Sequence, residues 1–312
     1  MDELVARLRS AGCVFAEDEA RILTEAADGD AARLEQLVSA RVGGLPLEHL
    51  VGWAELDGRR WLVAPGVFVP RQRSELLVRE AAERAASVPA GTSSARGTTG
   101  TTAALDGRAG STQGRGALLL VDLCCGCGAL GGAVAARLRR AGHDVEIYAA
   151  DVDPVAVTCA HDNLKALSDD AALPGAGRLT AHTFTGDLAD PLPAEVWGRV
   201  DVLVANAPYV PTEAISMMPP EAREHEPHVA LDGGDDGLTI LRRVIDLAPR
   251  LLRPGGHLLI EAGDGQVDAA VEHLVAAGLT TAVLTDDELG ATALAATLPR
   301  DDVPLVEPVA TA

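Results

Sequence analysis

Between residues 117 and 298 the chain alternates short apolar runs with segments of helical spacing, and few architectures satisfy that alternation. The apolar runs cover 118–123, 145–150, 200–205 and 257–261, and the helical segments cover 129–141, 154–167 and 238–252. Strand, helix and strand in repeated order predict parallel strands joined by crossover helices, an α/β doubly wound, mostly parallel sheet. Two last apolar stretches, 280–284 and 291–297, are joined by a short acidic connection, which predicts an antiparallel pair closing the sheet.

The remainder divides by pattern. Residues 1–45 carry apolar positions at helical spacing, such as Ala20, Leu23 and Ala27, then Leu34, Leu37 and Val38, broken by Asp28-Gly29-Asp30, and predict a small helical domain. After Gly43-Gly44 the pattern turns to alternation. Within 46–87, Asp57-Gly58 stands midway between Trp53 and Val63 and predicts a β-hairpin, because both turn residues tolerate positive φ, with a connecting helix after it. Residues 88–116 are dominated by Gly, Ser, Thr and Ala, bury too little to offset the entropy of ordering, and predict a flexible linker. Residues 299–312 read as a tail.

The first strand of the alternating region runs through Val121-Asp122-Leu123 into Cys124-Cys125-Gly126-Cys127-Gly128, and a helix follows. That loop falls at the carboxyl edge of the sheet, where open α/β folds bind ligands. Gly126, Gly128 and Gly131 also match the dinucleotide fingerprint, a weak signal alone, so the surroundings decide. Asp122 precedes the glycines, Asp151 closes the second strand where ribose-binding acids lie, and Asp187 follows Gly186, where a further strand, ahead of the 200–205 run, is expected to end. No Lys or Arg accompanies them in the loops. Such a rim repels a pyrophosphate and attracts a sulfonium with an attached ammonium. The expected cofactor is therefore S-adenosylmethionine, with Asp122 toward the methionine end, Asp151 on the ribose hydroxyls, Asp187 or Leu188 at the adenine, and Cys124, Cys125, Gly126, Cys127, Gly128 and Asn206 also in contact with it. The alternative for Asp122 and Asp187 is that they cap helices or turns.

A second ligand position follows the apolar strand 200–205, which runs directly into Asn206-Ala207-Pro208-Tyr209. An amide nitrogen is a poor nucleophile because its lone pair is delocalised. The Asn206 side-chain oxygen and the Ala207 carbonyl are candidates to accept its two N–H bonds and aim the lone pair at a methyl group. Pro208 fixes the turn, and Tyr209 offers a flat face to a planar group. Catalysis would rest on alignment in a preorganised pocket.

Asn206-Ala207-Pro208-Tyr209 is followed by Pro219-Pro220-Glu221, Glu226-Pro227, Ala230-Leu231, Gly233-Gly234, Asp236-Gly237-Leu238 and Pro254-Gly255-Gly256. Upstream stand Gly44-Leu45-Pro46-Leu47, Gly52, Pro65-Gly66-Val67 and Pro70-Arg71 with Glu75. Together these resemble the HemK-type release-factor glutamine methyltransferase family over nearly the whole chain. The resemblance implies a seven-stranded Rossmann-like methyltransferase sheet. It also implies methylation of the side-chain amide of a glutamine in the Gly-Gly-Gln motif of peptide-chain release factors, a step of translation termination. The family pattern has Pro where this chain has Ala207, Gly where it has Cys124, and Pro-Glu-Thr where it has Gln72-Arg73-Ser74. Cys124 would be strained by about 1–2 kcal/mol if its position demands positive φ. A divergent paralogue with another target is the alternative these departures suggest.

Charge and cysteine usage bound the partners. A net charge of −20 opposes stable nucleic-acid binding and suits a protein or small cationic partner. The N-terminus lacks the pattern of a signal peptide, no apolar run reaches the ~18 residues of a membrane span, and the expected location is cytoplasmic. Five cysteines, three of them at Cys124, Cys125 and Cys127, do not form a secreted disulfide framework or the ligand pairs of a zinc site, so no metal is expected. His225 and His228 flank Pro227 and read as loop residues, and Glu17 and Glu19 as a solvated helix face. Two other functions stay open: a nucleic-acid exocyclic-amine methyltransferase, and a non-catalytic protein that keeps the cofactor fold.

Overall fold

A computed structural model describes residues 1–87, 116–170 and 176–300. The expected linker, except for Gly116, and the tail beyond Arg300 lie outside the described residues. The chain opens with three helices, α1 (Asp2–Ser10), α2 (Ala16–Ala27) and α3 (Ala31–Val42), packed around Leu8, Ala16, Ala20, Leu23 and Val38. The break between α2 and α3 is made by Asp28 and Gly29 at φ 49° and 80°. Asp30 then caps α3 by accepting the Ala32 and Arg33 N–H groups. A short helix, α4 (Leu47–Val51), occupies a stretch where alternation was expected, because Pro46 sets its entry and Gly52 ends it at φ 82°.

The hairpin forms as expected, from β1 (Trp53–Leu56) and β2 (Arg59–Leu62), with Asp57 and Gly58 at φ 56° and 67°. Two successive positive φ values are the type I′ geometry that follows strand twist. Helix α5 (Glu75–Ser87) leads away from it.

The sheet is built from β3 (Leu118–Leu123), β4 (Val145–Asp151), β5 (Leu179–Thr185), β6 (Val200–Ala205), β7 (Leu252–Glu261), β8 (Thr280–Asp286) and β9 (Ala291–Thr297). The intervening helices are α6 (Ala129–Arg140), α7 (Pro154–Ser168), α8 (Pro220–His225), α9 (Thr239–Leu251) and α10 (Val267–Ala276). Spatial order is β5-β4-β3-β6-β7-β9-β8. The first five are parallel, and β9 is antiparallel to both its neighbours. Strand β7 starts at Leu252 rather than near His257, and its register with β6 shifts between Val200 and Val202 to absorb the Pro254-Gly255-Gly256 segment. Sequence order reverses between β3 and β6, so the crevice lies at their carboxyl ends. Pairing of Leu123 with Ala205 sets the Cys124 loop beside Asn206. This juxtaposition follows from topology and not from sequence distance.

Two apolar layers cover the sheet. One gathers α5, α6, α7 and the hairpin, and the other gathers α9 and α10. Trp61 from β2 is buried against α6, with its indole N–H on the Leu56 carbonyl. Asn163 of α7 exchanges hydrogen bonds with Leu62 and also donates to the Cys127 carbonyl, tying the hairpin to the Cys124 loop. The close approach depends on Gly132, where a Cβ would lie 2.6 Å from two Trp61 ring atoms. Gly132→Ala is expected to destabilise the protein by about 1–3 kcal/mol, since overpacking outweighs the helix-propensity gain of ~1 kcal/mol. Thermal melting checks this, and an unchanged or higher midpoint would contradict it.

Candidate active site

A cavity of about 340 Å³ opens at the switch point. Its floor is the loop between β3 and α6, with Cys124, Cys125, Gly126 and Cys127 in the lining. Cys124 lies at φ 56° and Gly126 at φ 54°. The strain expected at Cys124 is therefore present. A Cβ on Gly126 would meet nothing within 4 Å, so glycine leaves that part of the floor open to a ligand. Gly128 stands behind the lining, at φ 75°, and permits the loop to touch Ala160 of α7.

The three carboxylates take different places. Asp151, at the end of β4, lines the cavity and accepts the Gly126 N–H at 2.9 Å and the Asp153 N–H at 3.0 Å. It is thus both a wall of the site and the brace of its floor, with lone pairs left for a diol. Asp187 also lines the cavity but is exposed and paired at 2.7 Å with Arg243 of α9. The lining therefore includes a guanidinium, absent from the loops but supplied by a helix distant in sequence. Leu188, at φ 48°, lies next to Asp187 in the lining. Asp122 is fully buried and does not line the cavity. One of its oxygens accepts the Gly131 N–H near the start of α6, in the manner of a cap, while Oδ1 has no partner among the described residues.

Burial raises the Asp122 pKa to about 7, the Gly131 N–H opposing the rise and Asp151 adding to it. The ordinary carboxyl value is about 4, so the folded protein binds this proton more tightly than the unfolded chain. The group's contribution to stability therefore falls as pH rises from about 4 toward 7. Melting curves across that window should show a smaller loss in Asp122→Asn than in the unaltered, donor-free protein; identical slopes would contradict the assignment. The Cys124 thiol is likewise held protonated, by burial first and then by Asp151, Asp122 and Asp187. All five cysteines are free. Among the described residues no group of three or more side chains suited to a metal occurs.

A second cavity, of about 360 Å³, lies on the other side of Asn206. Its lining includes Phe68, Arg71, Arg73, Ala207, Tyr209 and Met218. Phe68, Asn206 and Ala230 line both cavities, and Pro208 lines the first. Asn206 Nδ2 donates to Ser74 Oγ at 3.2 Å. Neither Asn206 Oδ1 nor the Ala207 carbonyl accepts a hydrogen bond among the described residues, so both expected acceptors remain available. Tyr209 is fixed by its hydroxyl, which donates to Glu261 at 3.1 Å and contacts Arg73. Burial and Glu261 raise the phenol's pKa, so it stays neutral. Among the residues that the sequence reading did not assign to the site are Ser74, Arg73, Glu261 and Arg243, with Phe68, Arg71 and Ala230 in the cavity walls. The only sequence signal at Arg73 and Ser74 was the Gln72-Arg73-Ser74 departure.

The residues present fit a cationic, ribose-bearing methyl donor: an open glycine floor, the Asp151 carboxylate in the wall, and the unpartnered Asp122 oxygen beneath. No family model matches the sequence. The chain is 32% identical over 235 residues to the release factor glutamine methyltransferase of Geobacter sulfurreducens, covering 75% of this chain and 66% of that protein. It is 34% identical over 259 residues to that of Moorella thermoacetica, covering 83% and 76%. It is 33% identical over 235 residues to the 4-amino-L-phenylalanine/4-methylamino-L-phenylalanine methyltransferase of Streptomyces pristinaespiralis, covering 75% and 67%. The chain thus spans between 66% and 76% of the length of these relatives. With such identity carried over most of its own length, the chain belongs to the release factor glutamine methyltransferase family, and its methyl donor is S-adenosylmethionine.

Proposed function

We propose that the protein methylates the side-chain amide nitrogen of a glutamine in the Gly-Gly-Gln motif of a peptide-chain release factor, in the cytoplasm. The observation that carries this is the place of Asn206, in the wall shared by the donor cavity and a second cavity large enough for an amide side chain.

The donor supplies an electrophilic methyl group on a sulfonium. Asp151 holds the ribose, and the Cys124 loop, braced by Asp151, shapes the floor. Asn206 Oδ1 and the Ala207 carbonyl accept the two N–H bonds of the glutamine amide, which turns the nitrogen lone pair toward the donor cavity. Tyr209 supports the plane of the amide. Transfer of that methyl group to the amide nitrogen would leave the electron pair of the broken S–C bond on sulfur, and the nitrogen would lose its extra proton to water. No strong base is needed, and the neutral Tyr209 is not one. The work is alignment of two reactants about 3 Å apart, between walls to which Phe68 and Ala230 contribute in both cavities.

The test is to incubate the purified protein with release factor and isotopically labelled donor, then digest and sequence by mass spectrometry. Label on the Gly-Gly-Gln glutamine is expected, and its absence counts against the proposal. A second acceptor class has support in the Streptomyces relative and in Arg71 and Arg73 beside the acceptor position: an arylamine carrying a carboxylate. Both guanidiniums are already paired, with Glu226 and Glu261, so this reading ranks second. The same assay with 4-amino-L-phenylalanine separates the two. A nucleic-acid acceptor is opposed by the net charge of −20.

A further inference from the structure

Glu261 is a buried carboxylate at the end of β7 that none of the steps above uses. The sheet explains its position: Ile260 pairs with Ala205, so the next residues on the two strands, Glu261 and Asn206, emerge side by side. Three donors converge on it. Arg73 Nε reaches Oε1 at 2.6 Å, the Tyr209 hydroxyl reaches Oε1 at 3.1 Å, and the Ser74 hydroxyl reaches Oε2 at 2.9 Å. Ser74 is itself buried and is the partner of Asn206 Nδ2.

The directions of these bonds follow from the chemistry of the groups. A carboxylate paired with a guanidinium has only acceptors to offer. The single Ser74 proton must therefore go to Glu261, which leaves the Ser74 oxygen as an acceptor toward Asn206. An acceptor there can be met only by the NH₂ end of the Asn206 carboxamide. The other end, Oδ1, is then turned away from Ser74 and left without a partner, which is the state an incoming N–H requires. With the amide flipped, an NH₂ group would face the substrate's own N–H bonds, and two donors would oppose each other.

We propose that Glu261, through Ser74, is a positioning device that fixes which end of the Asn206 side chain faces the acceptor, and that Arg73 completes it by clamping Glu261 and Tyr209 together. Arg73 and Ser74 lie just before α5, where the family pattern has Pro-Glu-Thr: the hydroxyl at position 74 is kept, as serine, and the guanidinium at 73 is this chain's own. The inference rests on the reading that Asn206 Oδ1 accepts the substrate N–H.

Ser74→Ala removes the link and, with it, one hydroxyl from the donor-cavity wall that Ser74 helps form, Ser74→Thr keeps the hydroxyl, and Glu261→Gln replaces an acceptor-only group with one able to donate. Ser74→Ala is expected to lower kcat by roughly 10- to 100-fold, the scale of a small misalignment, with donor affinity by calorimetry within about 3-fold. Ser74→Thr should recover most of the rate. Glu261→Gln should resemble Ser74→Ala, with the same donor affinity. A readout independent of turnover is the Asn206 side-chain amide pair in ¹⁵N spectra, identified by its loss in Asn206→Ala. It should shift or broaden in Ser74→Ala and Glu261→Gln and keep its place in Ser74→Thr. Wild-type kcat in Ser74→Ala, failure of threonine to restore the rate, or an unmoved Asn206 amide in Ser74→Ala would each overturn the proposal. A wild-type protein that labels no glutamine would defeat the functional reading instead, and the amide spectra would still decide the positioning.

Discussion

Asn206→Ala is expected to lower kcat for glutamine methylation by about 10²- to 10³-fold, the range measured when one preorganised polar group is removed from an active site. Alanine removes the Oδ1 acceptor and leaves the Ala207 carbonyl as the only partner for the substrate amide. The nitrogen is then free to rotate, and its lone pair is no longer aimed. Asn206 also stands in the donor-cavity wall, but the floor and Asp151 are untouched, so donor affinity should fall far less than the rate. Rapid-quench measurement of label transfer at saturating donor separates the two effects. A variant that keeps the wild-type rate, or loses rate only by failing to bind donor, would contradict the role given to Asn206.

The second large effect is at Asp151. Alanine there should weaken donor binding on the order of 10²-fold, because two charge-assisted hydrogen bonds to a ribose are each worth about 1.5–3 kcal/mol and only part of that survives reorganisation. The same change leaves the Gly126 and Asp153 N–H groups without their acceptor, so the floor loosens as well. Asp151→Asn, which retains one acceptor oxygen, should fall between the two. Calorimetry with the donor checks the series; equal affinity in all three proteins would remove the ribose from Asp151.

How much of this was legible in the sequence varies with the range of the interaction. The Asp57-Gly58 hairpin was readable because its geometry is local to two residues. Strain at Cys124 was legible only through the resemblance, whose pattern has Gly there, and the φ of 56° shows that the position does demand the left-handed region. Alternation predicted the parallel, doubly wound class and put both loops at the carboxyl edge, but the strand order, and the meeting of Cys124 and Asn206 through the pairing of β3 with β6, came from the structure. For Asp122 two places were expected, toward the methionine end or as a cap; alternation along β3 turns its side chain into the covered layer beneath the loop, where it accepts the Gly131 N–H as a cap does. Arg243 was missed because α9 brings it to the rim from 56 residues beyond Asp187. The Glu261 cluster was missed for a similar reason. Its members are 187 residues apart at Ser74 and Glu261, and only strand register brings them together. Helices α4, α8 and α10 were also not foreseen, and His225, read as a loop residue, ends α8. Helix α4 is a single short turn between Pro46 and Gly52. Helix α10 begins at Val267, just after Asp264-Gly265-Gln266, which reads as a loop.

The central claim is that donor and acceptor meet at Asn206, in one wall shared by two cavities. A ligand that joins the two reactants, an adenosyl group linked through its sulfur-side carbon chain to the amide nitrogen of a Gly-Gly-Gln peptide, probes this directly. Calorimetry should show it binding at least ~10²-fold more tightly than S-adenosylhomocysteine, as expected for a ligand resembling the transition state, with most of that gain lost in Asn206→Ala. Equal affinity of the joined ligand and S-adenosylhomocysteine, or a gain that survives Asn206→Ala intact, would contradict it.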